Sequence, residues 1–300
     1  METPAFGGID ASSLGTRHDR GHLQVETLAT SGETRRPRPA VPDIVEDMRL
    51  YIVDAFTSEA FAGNSAGVVL LDSPGDAGWM QSVAAELKHA ETAFVEVGGD
   101  GPKSLRWFTP EAEVDLCGHA TLATTHVLGG EQTFTTRSGE LRCRAEDGWV
   151  SMDFPSDPPR ESDDDLSAIL PGVAFSYVAR SHQNLFAVAE KASVVRSLEP
   201  DLVALRARWT GRLIVTAPGD AGGVDFVSRF FAPGVGVDED PVTGSAHCAL
   251  APYWAARLGK DELVGEQASA RGGIVRMSLE GDRVLLSGQA VTVASGELHV

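Results

Sequence analysis

Three hundred residues give room for two domains of ordinary size, each with its own core. A formal charge of -18, from 43 acidic against 25 basic side chains, excludes a surface built to collect phosphate backbone or anionic lipid, and no apolar run approaches the roughly 20 residues of a membrane helix. Nucleic acid and membrane are therefore not expected partners, and three scattered cysteines, Cys117, Cys143 and Cys248, fit neither a disulfide framework nor a CxxC zinc site and suit a reducing cytoplasm.

Along the chain, residues 1–46 interleave Gly, Ser, Thr, Arg and Pro with little hydrophobic periodicity and read as a flexible extension. It lacks the layout of a secretory signal, and Glu2, Asp10 and Asp19 speak against an import peptide. From Leu50 onward come short strand-like runs: "LYIVDAF", "TAFVEV", "LRWFTP", "WVSMDFP", "FSYVA", "NLFAVA", "RLIVTA", "VDFVSRFF", "IVRMSL", "RVLLS" and "QAVTV". Their spacing predicts antiparallel sheets. Helical patterns are few: 78–87, with Met80, Val83, Ala84 and Leu87 on one face, then 119–128, 202–209 and 245–258. Without regular βαβ alternation, a doubly wound nucleotide-binding fold is disfavoured.

Two of those helices, "HATLATTHVL" and "SAHCALAPYWAARL", are apolar or small on nearly every face and end at Gly129-Gly130 and Gly259, expected left-handed stops. A helix without a polar face has to be surrounded. This predicts an α+β fold of two pseudo-symmetric lobes, each a barrel-like, mainly antiparallel sheet around a central helix. An internal echo fits: Phe108, Pro110, Val114, Asp115, Gly118 and Ala120 correspond to Phe231, Pro233, Val237, Asp238, Gly244 and Ala246.

Gly118 and Gly244 stand at the predicted helix starts, where unpaired amides attract carboxylates or phosphates and a glycine lets a ligand approach. Either could equally be the glycine of a tight turn. Glu91 precedes a strand whose Ala93, Val95 and Val97 share its face, so alternation places its carboxylate on the buried side, where desolvation would suit it to proton transfer near neutrality. The alternative is an ordinary structural glutamate at a strand start.

Four stretches in order, "DAFTSEAFAGNSAGVVLL", "AETAFV", "RWFTPEAEVDLCGHATLATTHVL" and "EDPVTGSAHCALAPYWA", resemble the phenazine-biosynthesis PhzF-like family, and the likeness runs from about residue 50 to 300. It implies a diaminopimelate-epimerase-like fold whose last strand returns to the first lobe, giving lobes of 47–148 plus 290–300 and of 149–289, with the site between them. It implies that Glu91 shuttles the proton and that Asn64, Gly118, His119, Asp240, Gly244 and Ser245 surround a small carboxylated substrate, without metal or cofactor, in a cytoplasmic protein able to form a homodimer. Ser65 replaces the proline that usually follows Asn64 in that family.

Inverting a carbon centre with two thiols needs one from each lobe. Cys117 occupies the first place, but Thr243 occupies the second, and a threonine hydroxyl does not replace a thiolate without strong activation. One carboxyl can instead move a proton between two carbons on the same face, which is isomerisation; Cys117 then reads as a small buried residue. Thiol-dependent epimerisation and a catalytically silent binding protein remain the alternatives. A serine hydrolase built on Ser245 with His119 or His247 and Asp240 lacks the second glycine of the nucleophile elbow. A zinc site from His119, His126, His247 and Cys248 lacks metal-ligand spacing.

Overall fold

The computed structural model describes residues 48–99 and 101–300, and the expected N-terminal extension lies outside them. The first half runs β1 (Met48–Ala55), β2 (Asn64–Leu71), α1 (Ala77–Leu87), β3 (Glu91–Glu96), β4 (Lys103–Phe108), β5 (Glu113–Val114), α2 (Gly118–Leu128), β6 (Gly130–Thr136), β7 (Gly139–Glu146) and β8 (Trp149–Pro155). The second runs β9 (Arg160–Glu161), β10 (Phe175–Arg180), β11 (Leu185–Ala189), α3 (Ala192–Arg196), α4 (Leu202–Arg206), β12 (Leu213–Pro218), β13 (Phe226–Ala232), β14 (Val237–Asp240), α5 (Gly244–Leu258), β15 (Glu262–Gln267), β16 (Gly273–Glu280), β17 (Arg283–Gly288) and β18 (Ala290–Leu298).

The strand pairings repeat. β1–β2 is antiparallel, β2–β3 parallel, β3–β4 and β4–β5 antiparallel, β4–β6 parallel, then β6–β7 and β7–β8 antiparallel. From β10 to β17 the same senses recur in the same order, with β11–β12 and β13–β15 as the parallel pairs. β8 pairs with β17 and joins the two series. Each outer edge is closed by the strand that follows the other series, β18 after β17 pairing with β1 and β9 after β8 pairing with β10. The sheet is mainly antiparallel, as expected, with parallel pairs at β2–β3, β4–β6, β11–β12 and β13–β15, and its pairings run from β18 to β9 without closing, so the barrel-like closure expected from the sequence is replaced by an open ladder.

Helix α2 lies against β1, β2, β3, β6, β7, β8 and β18, strands drawn from both ends of its series. Every residue from His119 to Thr125 is buried. A threonine-rich helix tolerates this because each hydroxyl donates back to a carbonyl four residues earlier: Thr121 to Cys117 O (2.6 Å), Thr124 to Ala120 O (2.7 Å) and Thr125 to Thr121 O (2.9 Å). Helix α5 packs on β15, β16 and β17. Its Trp254 stacks on Phe226 of β13 and donates to Thr216 Oγ1 of β12. Pro252 sits inside α5 and cannot bond the Cys248 carbonyl; the Asp157 amide does so instead, at 3.0 Å.

Strand β3 is buried on both faces. Ala93 and Val95 join the cluster around α2, while Phe94 packs with Met80, Val83 and Ala84 of α1. Three local expectations change. Helix α4 stops at Arg206 rather than at residue 209; Trp209 is half exposed and stacks under the Arg180 guanidinium instead of joining the core. Gly259 is a left-handed cap, but Gly129 combines φ 72° with an extended ψ of 168° and turns straight into β6. Strands β2, β6, β7 and β15, absent from the predicted runs, complete the ladder.

Candidate active site

Helices α2 and α5 meet end to end at their first residues. A Cβ built on Gly118 would lie 3.2 Å from the Gly244 Cα, and one on Gly244 would lie 3.3 Å from the Gly118 Cα, so the contact requires glycine on both sides. Neither helix has a side-chain cap, since Cys117 and Thr243 occupy the cap positions without bonding the first-turn amides. Two positive helix ends therefore converge on one place.

Three of the residues expected there are brought together around it. Glu91 opens β3 opposite Ala66 of β2, with its side chain 18% exposed, and its Oε2 lies 3.4 Å from His119 Nε2. Burial, followed by the negative charge of Asp240, pushes the Glu91 carboxyl up to about 8; a hydrogen bond from Cys117 pulls the other way. His119 is buried and its pKa falls to about 3, through burial and then the charge of nearby His89. The pair is therefore a carboxylic acid beside a neutral imidazole at pH 7, not an ion pair. Among the described residues, His119 Nε2 has no hydrogen-bond partner. Asp240, at the end of β14, is raised to about 6 by burial against the pull of hydrogen bonds from Thr243 and Asn64.

Asn64 is placed differently from the expectation of a substrate contact. It is fully buried, and its amide nitrogen donates to Asp240 Oδ1 (2.7 Å) and to the Val242 carbonyl (3.0 Å). Its side-chain amide is thereby committed to Asp240 and Val242. Its neighbour Ser65, where the resemblance expects proline, brings Oγ within 3.3 Å of His89 Nδ1, adding a polar pair next to β3 that no motif marked. Ser245 is exposed in the first turn of α5.

Cys117 is the buried core residue expected from the sequence, next to the site. Its Sγ is 3.5 Å from His119 Nδ1, and burial followed by the charge of Glu91 holds its pKa well above that of a free thiol. A protonated thiol is a poor nucleophile and a poor base. Carboxylate oxygen, sulfur and imidazole nitrogen from Glu91, Cys117 and His119 lie within 4.8 Å of one another and could hold a metal ion; binding would first have to remove the protons of both the acid and the thiol. Of the other histidines weighed as zinc ligands, His247 has a buried Nε2 without a hydrogen-bond partner among the described residues. His247 Nδ1 contacts the Thr243 carbonyl at 2.8 Å, and His126 Nε2 contacts Thr292 Oγ1 at 3.2 Å.

A profile of the phenazine biosynthesis-like protein family, PhzC-PhzF, matches residues 53–296, which include every residue of this constellation. The chain belongs to that family. An uncharacterized isomerase of Pseudomonas aeruginosa is 48% identical over 263 residues, covering 84% of this chain and 99% of the relative. Another, from Halalkalibacterium halodurans, is 45% identical over 259 residues, covering 83% and 97%. The crystal structure of a PhzF-family protein from Enterococcus faecalis is similar with a TM-score of 0.80 at 39% identity, over 85% of this chain and all of that one. This PhzF-like chain is an enzyme of the isomerase class with the epimerase-like fold of its relatives. Among the described residues no helix is long and apolar enough to cross a membrane.

Proposed function

We propose that this PhzF-like enzyme moves one proton within a small carboxylated substrate, using Glu91 as its only acid/base and no cofactor. The observation that carries the reading is a shielded carboxyl titrating near 8 beside the meeting point of two uncapped helix ends. In its ionised form Glu91 removes a proton from one carbon; the electron pair left behind delocalises into an adjacent unsaturated system, and the new Glu91 acid returns the proton to a second carbon on the same face. No electrons leave the substrate. The first-turn amides of α2 and α5 fit the substrate carboxylate or developing negative charge. His119 Nε2, Asp240 and exposed Ser245 supply directional contacts, while Gly118 and Gly244 allow close approach.

In this reading the chain forms two lobes, 47–148 plus 290–300 and 149–289, around α2 and α5 with the site between them. Cytoplasmic location and assembly as a homodimer belong to the same proposal, and sedimentation of the purified protein tests the latter.

The proton transfer is tested in heavy water with a panel of small unsaturated cyclic and acyclic carboxylic acids, following deuterium by NMR. Incorporation at carbon is expected with the wild-type protein and in Cys117→Ala, and is expected to fall at least about a thousandfold in Glu91→Gln, which keeps shape but cannot carry the proton. Loss in Cys117→Ala with retention in Glu91→Gln would instead establish thiol chemistry. Saturable binding of panel members without exchange would establish a binding protein on an enzyme fold.

A further inference from the structure

Outside the residues already assigned to the site, one buried side chain directs all its polar atoms at Asp240 and its neighbour Thr243. Gln267 ends β15 and is fully buried. Its backbone is held on both sides, opposite Ser228 of β13 and Gly273 of β16. Its Oε1 accepts from the Thr243 amide at 2.8 Å, and its Nε2 donates to the Asp240 carbonyl at 2.7 Å and to Thr243 Oγ1 at 3.2 Å. Thr243 Oγ1 lies 2.5 Å from Asp240 Oδ2.

Elementary chemistry fixes the direction of this chain. The glutamine NH2 only donates, and an ionised carboxylate only accepts. The single hydroxyl between them must accept from Gln267 and turn its hydrogen to Asp240. We propose that Gln267 is a positioning residue for Asp240, orienting the Thr243 hydroxyl as a permanent donor to its carboxylate. The proposal rests on the proton-transfer reading for its consequence in catalysis, not for the geometry.

The loop that follows Gln267 anchors the segment whose Asn64 bonds the other oxygen of the same carboxylate. Arg271 donates to the carbonyls of Gly63 (2.7 Å) and Ala62 (2.9 Å) and pairs with buried Asp54, while the Gly63 amide bonds the Gly272 carbonyl at 2.9 Å. Asn64 comes next in the chain and donates to Asp240 Oδ1. Both oxygens of Asp240 are thus held by donors anchored on the segment from Gln267 to Gly272. The charges coupled to Asp240 are Glu91 and neighbouring Glu239, itself paired with Arg229. A carboxylate whose donors are fixed stays ionised and in place; if one donor is free to rotate, it loses part of both properties.

The test is an infrared pH titration of the full protein, in which the protonated carboxyl band of Asp240 is assigned by its loss in Asp240→Asn. In Gln267→Leu the Asp240 midpoint is expected to rise by about one pH unit, a tenfold shift in ionisation ratio. Thr243→Val is expected to give a similar shift, and the double variant little more than either single one, because both act through the same hydroxyl. An unshifted midpoint in folded Gln267→Leu, or fully additive shifts in the double variant, would overturn the proposal. If Gln267→Leu does not fold, the more adaptable Gln267→Met is titrated in its place with the same expectation; failure of both to fold would assign Gln267 a purely structural role. The infrared reading needs no turnover, so a panel that contains no substrate leaves this test intact.

Discussion

A carboxyl that titrates near pH 8 is mostly protonated in neutral solution, which sets a direct expectation for the rate. If Glu91 begins as a base, kcat/KM rises about tenfold per pH unit on the acid side and levels off near pH 8. The charge of Asp240 is one cause of that high value, so Asp240→Asn is expected to move this acid limb to lower pH even while it weakens turnover. An acid limb that stays in place would show that burial alone sets the Glu91 value. The same shift appears in stability. Its folded pKa lies above the ordinary value of 4.5, so the native state gains from proton uptake; that gain is complete below pH 4.5 and is lost as pH rises through about 8. Glu91→Gln removes the loss. Its thermal midpoint is expected to exceed that of the wild type at pH 9, by the equivalent of a few kcal/mol, and to approach it at pH 4. The importance of this residue was only partly legible. Alternation put Glu91 on a buried face, but β3 is buried on both faces, so its period carried less than it seemed to, and the specific assignment came from the family motif. Gln267 left no local signal at all, because a polar residue at a strand end looks the same whether it meets water or a carboxylate.

At the scale of elements, the site depends on how closely two helix starts approach. The small-residue helices α2 and α5 were readable because nothing but enclosure accounts for a helix with no polar face, and their glycines were readable as starts. That these two glycines touch each other was beyond any local pattern. Gly118→Ala and Gly244→Ala each place a methyl group within about 3.3 Å of the opposite backbone. Each is expected to cost about 1–3 kcal/mol in thermal or denaturant unfolding, with proton-exchange activity falling more steeply than stability. The double variant should cost less than the sum, since the first methyl already pushes the helices apart. Strict additivity would mean that the two ends do not share one gap. The strands that went unread have identifiable reasons. In β2, "NSAGVVLL", small residues and burial of nearly every position remove the alternation. In β7 the alternation is present, with Leu141 and Cys143 inward and Arg142 and Arg144 outward, but its polar half hid the strand among charged residues.

Over the whole molecule, the duplicated order of pairings accounts for the two edge strands. Both β18 and β9 follow the last strand of one half and pair with the first strand of the other, yet the two exchanges differ greatly in extent. β18 pairs with β1 along its length, from Met48 opposite Leu298 to Ala55 opposite Ala290, whereas β9 contributes only Arg160 and Glu161 against β10. Most of β18 is exposed, so it stabilises chiefly by saturating the amides and carbonyls of β1 rather than by burying apolar surface. The return of this strand to the start of the fold was an implication of the resemblance; the mirrored, shorter β9 was not. Removing residues 290–300 is therefore expected to leave β1 as an unpaired edge, next to the β2 residues that carry Asn64, and to cause aggregation or a large loss of thermal stability. Breaking the β9 pairing with Arg160→Pro is expected to cost no more than about 1 kcal/mol, because only one short contact is lost. Size-exclusion chromatography with thermal unfolding of the two variants decides the matter: a truncated chain as monodisperse and as stable as Arg160→Pro would show that α2, rather than the crossed strand, holds the first half together.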